Sequence, residues 1–246
     1  MATIIEILAK AKDDGIRHVR LQFTDILGTP KNIVVPPTRL EEAMEKGIAF
    51  DASSIAGYAT IEESDMIAKA DPNSYIVLPQ IIEKTPTARL ICDIYSHNGR
   101  RFPGDPKYVL EKVMGRAKEK GWTYHTGPEC EFFLFKMQDG FPTTIPNDHA
   151  TYFDLSTRDL AEGLRADVAD AVHQMGFQVY SAHHEVAPGQ HEINFAHADA
   201  VTTAERVITL KYAIKTIAMK YGLHATFMPK PVYGVCGSGM HVHQSL

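Results

Sequence analysis

The sequence predicts an α+β protein: a small domain of strands crossed by a helix, then a larger α/β layout in which helices cover one side of a sheet. Three observations carry this reading. The apolar period switches repeatedly between strict alternation and helical spacing. The segment SHNGRRFPGDP, from Ser96 to Pro106, is polar and rich in turn formers, and it divides the chain into domains of 1–100 and 101–246. The stretch HHEVAPGQHE, from His183 to Glu192, sets three histidines and two glutamates around a Pro188-Gly189 turn. Val179 and Tyr180 before it, and Ile193 and Phe195 after it, predict a hairpin.

In the small domain, Ile4, Leu8 and Ala11 recur at helical spacing and Gly15 ends the pattern. Val19, Leu21 and Phe23 then alternate with polar residues as a half-buried strand, and a turn at Leu27–Pro30 leads to a partner strand over Asn32–Val35. Thr38 and Glu41 have the spacing of a capping box for a helix that buries Leu40, Ala43 and Met44 and ends at Gly47. Tyr75–Leu78 and the alternating Leu90, Cys92 and Ile94 supply two more strands.

The larger domain opens with Asp105 and Pro106 as N-cap and first residue of a helix carrying Leu110, Val113 and Ala117 inward to Gly121. A strand over Trp122–Phe135 follows. Two long amphipathic helices come later, one with Leu160, Leu164, Val168, Ala171 and Met175 on a face, the other with Leu210, Ile214, Ile217 and Tyr221. Gly176 and Gly222 stop them.

Composition excludes several classes of function. A net charge of −5 gives no footprint for nucleic acid, and the basic run Arg116–Lys120 is broken by Glu119 on a helix face. Three widely spaced cysteines, Cys92, Cys130 and Cys236, fit a reducing, cytoplasmic compartment. The N-terminal residues lack the pattern of a signal peptide, and no apolar run is long enough to span a bilayer.

Chemistry concentrates in three places. Glu185 and Glu192 fall on neighbouring strands of the hairpin, where two facing carboxylates call for a cation. In GPECEFFLF, Glu129 and Glu131 leave one face of a strand while Cys130, Phe132 and Leu134 pack on the other. In GSGMHVHQSL, His241 and His243 repeat that spacing. Four glutamates and a histidine make an oxygen-rich set that suits Mg²⁺ or Mn²⁺. A zinc site of Cys236, His241 and His243 would leave the carboxylates unexplained. FDASSIAGY reads as a polar loop presenting Asp51, Ser53 and Ser54.

These stretches together resemble the prokaryotic type I glutamine synthetases: FDASSIAGY..IEESDM the N-terminal signature, GPECEFFLF the first metal strand, HHEVAPGQHEI the metal hairpin, and ATFMPKP..G.CGSGMHVHQSL the ATP-region signature. The resemblance implies a β-grasp domain followed by a catalytic domain with a curved antiparallel sheet, assembled as a homo-oligomeric double-ring dodecamer. It implies ATP-dependent amidation of L-glutamate by ammonium through a γ-glutamyl phosphate. Residue by residue, Glu131, Glu185 and Glu192 match ligands of a first Mg²⁺ or Mn²⁺, and Glu129 and His241 match ligands of a second. His243 and Ser245 match ATP-binding positions, Gly237 a glutamate-binding backbone, and Tyr152 the ammonium pocket. Asp51 and Ser53 match residues lent to a neighbouring subunit's site, with Asp51 the expected base. The chain departs from the family at Cys236, where Asn is usual, and at Ala52, where Gly is usual. The resemblance covers the family's N-terminal portion, so the 246-residue chain alone is expected to lack activity. Two alternatives are a γ-glutamyl-amine ligase of the same superfamily and a non-catalytic metal- or subunit-binding chain.

Overall fold

The first helix, α1 (Ile4–Asp13), begins at a reciprocal capping box. Thr3 Oγ1 accepts from the Glu6 amide at 3.2 Å, and the Glu6 carboxylate accepts from the Thr3 amide at 2.8 Å. Strands β1 (His18–Thr24) and β2 (Pro30–Val35) form the predicted antiparallel hairpin, with Leu21 opposite Ile33. In this computed structural model the described residues are 2–59 and 64–246, so Ile61, Glu62 and Glu63 of the IEESDM signature lie outside them.

The capping box expected at Thr38 and Glu41 does not form. Pro37 starts a 3₁₀ turn over Pro37–Arg39 that runs directly into α2 (Leu40–Glu45), so Thr38 sits inside the turn and no side chain caps the helix. Leu40, Ala43 and Met44 are buried as predicted. Two strands of this unit went unpredicted, β3 (Ile48–Asp51) and β4 (Asp65–Ala70). Strand β3 is only four residues long, and β4 has alanine at the inward positions 68 and 70 and carries Asp65 and Lys69, all weak strand formers. Strand β5 (Ile76–Val77) is shorter than expected, because a 3₁₀ turn over Pro72–Ser74 ends at Tyr75. Strand β6 (Thr87–Ser96) completes a sheet of order β2-β1-β6-β4-β3, with β5 against β6. Strands β1 and β6 run parallel, and the other pairings are antiparallel.

Helix α3 (Pro106–Glu119) is capped by Asp105 as predicted, but Val113 is 55% exposed and none of its residues is fully buried. Its inner side is ionic instead: Lys107 pairs with Asp93 of β6 at 3.2 Å, and Glu111 with Arg101 at 3.1 Å. These contacts tie α3 to β6, and the first compact unit accordingly runs to Gly121.

The second unit, 122–246, is organised on one long strand, β7 (His125–Gln138). After it come β8 (Phe141–Pro146), α4 (Glu162–Gln174), β9 (Val179–His184), β10 (Gln190–Phe195), β11 (Ala198–Asp199), α5 (Ala200–Lys220), β12 (Leu223–Thr226) and β13 (Met240–Ser245). Strand β7 carries β8, β10 and β11 along one edge and β12 and β13 along the other, all antiparallel, and β9 adds to β10. Helices α4 and α5 bury Leu164, Val168 and Ala171 and Leu210, Ile214 and Ile217. Leu160 precedes α4 in a turn and is exposed, its amide donating to Asp148 Oδ2 at 3.1 Å. Tyr221 is likewise half exposed, its hydroxyl donating to Asp167 at 2.6 Å. Among the described residues, no helix is long and apolar enough to cross a membrane.

Candidate metal centre

The strand registers align the predicted residues in two rows. Glu192 of β10 lies opposite Glu131 of β7 on one side and His183 of β9 on the other. One step along, Glu129 lies between Asn194 of β10 and His241 of β13. Directly opposed residues in antiparallel strands share a face, so these side chains converge on one side of the sheet. Cys130, Phe132 and Ile193 are buried on the other side.

The donor atoms of His183, Glu185 and Glu192 lie within 4.8 Å of one another. Glu185 follows β9 immediately. Its amide donates to the Gln190 carbonyl at 2.7 Å, and its carboxylate lies 3.0 Å from His183 Nε2. Glu131 accepts from Gln190 Nε2 at 2.9 Å. Glu129 lies 3.0 Å from His243 Nε2 and 3.7 Å from His241 Nδ1, and both imidazoles are largely solvent-exposed. The ring of Tyr152 meets His183 edge-on at 5.6 Å between centroids. The Gly237 carbonyl accepts from Gln190 Nε2 at 3.0 Å. Ser245 pairs with His125 at the far end of β13. Among the described residues, Cys236 joins no metal-ligating group with His241 and His243.

Asp51 and Ser53 belong to the first unit. Asp51 ends β3 and accepts from the Ser53 amide at 2.8 Å, and hydrogen bonds from the Ser53 hydroxyl and amide lower its carboxyl below the ordinary range. Ala52 is fully buried in the first unit's core, so its methyl packs there.

The field of the cluster is negative. Burial raises Glu192 despite hydrogen bonding from Asn194 and the nearness of His183, and Glu185 and Glu129 push it further. The Tyr152 phenol is raised by partial desolvation and then by Glu185, Glu192, Glu129 and Glu131. A set of clustered carboxylates with one imidazole, held at ligand spacing and destabilised by its own charge, fits a hard divalent cation.

Beneath the hairpin lies a buried network that sequence reasoning missed. Asp148 accepts from the Gly189 amide at 3.0 Å and lies 2.9 Å from His184 Nε2. The other nitrogen of His184 lies 2.6 Å from the Glu185 carbonyl. Gly189 has φ +68°, and a Cβ there would stand 2.8 Å from the Leu134 carbonyl, so the turn requires glycine. Arg165 grips Asp159 through both guanidinium nitrogens, at 2.6 and 3.1 Å, and its Nη1 lies 2.9 Å from His191 Nδ1. Asp148, His184 and His191 sit close enough to hold a metal, yet the adjacent Arg165 repels a cation, and both His184 nitrogens and His191 Nδ1 already have hydrogen-bonding partners, which leaves His191 Nε2 alone without one. Burial, and then Arg165, hold His191 neutral. This network is a brace for the hairpin.

Fold and cluster together define an antiparallel sheet whose carboxylate cluster suits a divalent cation, following a small α+β domain in the chain. The glutamine synthetase β-grasp domain matches residues 15–97, and the glutamine synthetase catalytic domain matches residues 103–246. The chain belongs to the glutamine synthetase family, a family of ligases. It is 50% identical to a glutamine synthetase of Thermus thermophilus, over 99% of this chain and 56% of that one. It is 48% identical to one from Clostridium saccharobutylicum, over 98% and 55%. Among solved structures, a GmaS/ADP complex superposes with a TM-score of 0.88 at 32% identity, over 97% of this chain and 55% of that one. A Plasmodium falciparum glutamine synthetase superposes at 0.89 and 25% identity, over 100% and 54%. The chain thus spans about half the length of the curated relatives it matches.

Proposed function

We propose that this chain supplies the metal-binding half of a glutamate–ammonia ligase, acting in the cytoplasm and using ATP, L-glutamate and ammonium. The observation that carries the reading is the row Glu131–Glu192–His183 across β7, β10 and β9, with Glu185 against it. In this proposal Glu131, Glu185 and Glu192 hold one Mg²⁺ or Mn²⁺, and Glu129 and His241 contribute to a second. His183 stands close enough to join the first set, and its imidazole favours Mn²⁺ over Mg²⁺. When bound, the cations neutralise charge on the ATP phosphates during phosphoryl transfer.

The chain's own residues orient and exclude. His243 and Ser245 lie on one face of β13 and are assigned to the nucleotide. The Gly237 backbone is assigned to the glutamate. Tyr152 stands among four carboxylates whose negative field attracts ammonium. Asp51 with Ser53 is assigned to the site of a neighbouring subunit in a dodecamer, where Asp51 takes a proton from ammonium. The functional division is placed at 1–100 and 101–246. The curated relatives at 48 and 50% identity favour ammonium over a larger amine.

The test is phosphate release from ATP by a full-length version carrying this sequence. Release is expected to need both glutamate and ammonium, and to be lost in Glu131→Ala and Glu185→Ala. Release that needs no glutamate, or that survives Glu185→Ala, contradicts the proposal.

A further inference from the structure

We propose that Gln190 is a positioning residue that couples the carboxylate of Glu131 to the glycine loop at Gly237. This rests on the assignment of Glu131 as a metal ligand. The Gln190 side chain is fully buried, and its amide is saturated. Nε2 donates to Glu131 Oε2 at 2.9 Å and to the Gly237 carbonyl at 3.0 Å, with Ser238 Oγ at 3.4 Å, and Oε1 accepts from the Ala187 amide at 3.2 Å. An amide has two N–H donors, and the two shorter contacts use both. The reverse orientation would set oxygen against a carboxylate and a carbonyl, so this one is fixed by its partners.

The loop it reaches has two other ties. The Ser238 amide donates to the Pro229 carbonyl at 2.8 Å, and the Lys230 ammonium donates to the Val235 carbonyl. A Cβ on Gly237 would collide with the Pro229 carbonyl, so the loop can take this path only with glycine there. The Glu131 amide also donates to the Gly239 carbonyl at 3.3 Å. Glu131 and residues 237–239 are therefore joined twice, once through the backbone and once through Gln190. Only the second link touches the carboxylate. A cation that fixes the Glu131 carboxylate thereby fixes Nε2, and through it the Gly237 carbonyl, which couples metal occupancy to loop order.

The experiment combines Mn²⁺ binding, read by electron paramagnetic resonance, with amide exchange in residues 236–239, both on the 246-residue chain. In the unaltered chain Mn²⁺ slows exchange at Ser238. Gln190→Leu weakens Mn²⁺ binding about 10–100-fold, as loss of an outer partner of a metal ligand does, and abolishes the Mn²⁺ effect on Ser238. Unchanged exchange in α5 shows that the fold is intact. If the leucine variant fails to fold, Gln190→Glu serves. It has the same size and still accepts from Ala187, but it repels Glu131, and it moves both readouts in the same direction. Mn²⁺ binding of ordinary strength in the variant, or Mn²⁺ protection of Ser238 that persists in it, overturns the proposal. Glu131→Ala separates the two levels: ordinary Mn²⁺ binding there overturns the ligand assignment itself, and the coupling with it.

Discussion

Strands β10 and β13 lie on opposite edges of β7, overlapping at Glu129 and Cys130, and differ throughout: all six positions of β10 are buried, and all six of β13 are exposed. Both carry residues predicted to serve the site. On β10, Glu192 is only 7% exposed, and burial together with Glu185 and Glu129 raises its cost of ionisation. A cation relieves that cost. On β13, His241 and His243 are solvated and held by the backbone ladder and the single carboxylate of Glu129. By this account metal affinity is expected where carboxylates are both clustered and desolvated. The solvated His243 of β13 is expected to add little to the affinity of the first cation.

The largest effect is expected from attacking the brace under β10. Asp159 and Arg165 are 2% and 6% exposed, and Asp159→Ala leaves a buried guanidinium without its partner. We expect a loss of roughly 3–5 kcal/mol in urea unfolding. A loss within about 0.5 kcal/mol, the range of ordinary surface substitutions, would show that β10 stands without the brace.

A second contrast concerns binding. Glu192→Ala is expected to weaken Mn²⁺ binding by at least about a hundredfold, the upper end of what loss of an outer partner causes, because here a direct ligand is removed. His243→Ala should change it by less than about threefold, as a surface contact worth under about 0.5 kcal/mol would. Equal losses in the two variants would erase the distinction between the strands.

Acid sharpens the comparison further. Burial alone would raise Asp159, but the hydrogen bonds and charge of Arg165, with the Ala161 amide, hold its carboxyl below the ordinary value. Its contribution to stability is therefore complete above about pH 4, near the unfolded value of about 3.9, and is lost as pH falls through the depressed folded value. The urea midpoint should drop below about pH 4, and Asp159→Asn should remove part of that drop while lowering stability at neutral pH. The smallest effect is expected at His243→Ala, within about 0.5 kcal/mol of the unaltered chain in the same assay.

The elements and residues that a period-two pattern could announce were legible. Alternation gave β1 and β6, the turn at Leu27–Pro30 gave β2, and the spacing of Glu129 with Glu131 placed both carboxylates on one face. The hairpin of β9 and β10 and its turn at Gly189 were also readable, because Pro-Gly between apolar residues has few other uses. Strands β3 and β4 were not: β3 is only four residues long, and in β4 alanine at inward positions carries little hydrophobic signal. The cap at Thr38 failed because Pro37 begins a turn one step earlier. The brace of Asp148, His184, His191, Asp159 and Arg165 left no local signal, for its members are brought together from four separate segments. Gln190 was hidden differently: it lies inside the hairpin, but an amide among histidines and glutamates does not announce that it bridges β7 and the glycine loop.

The most direct measurement of the central claim is a Mn²⁺ titration of the 246-residue chain by electron paramagnetic resonance, beside Glu192→Gln. The substitution keeps the size of the side chain and removes its charge. The account predicts saturable Mn²⁺ binding in the unaltered chain and its loss in the variant, with the fold of both confirmed by the same urea midpoint to within about 1 kcal/mol. No bound Mn²⁺ at millimolar metal, or equal binding by the two chains, would contradict it.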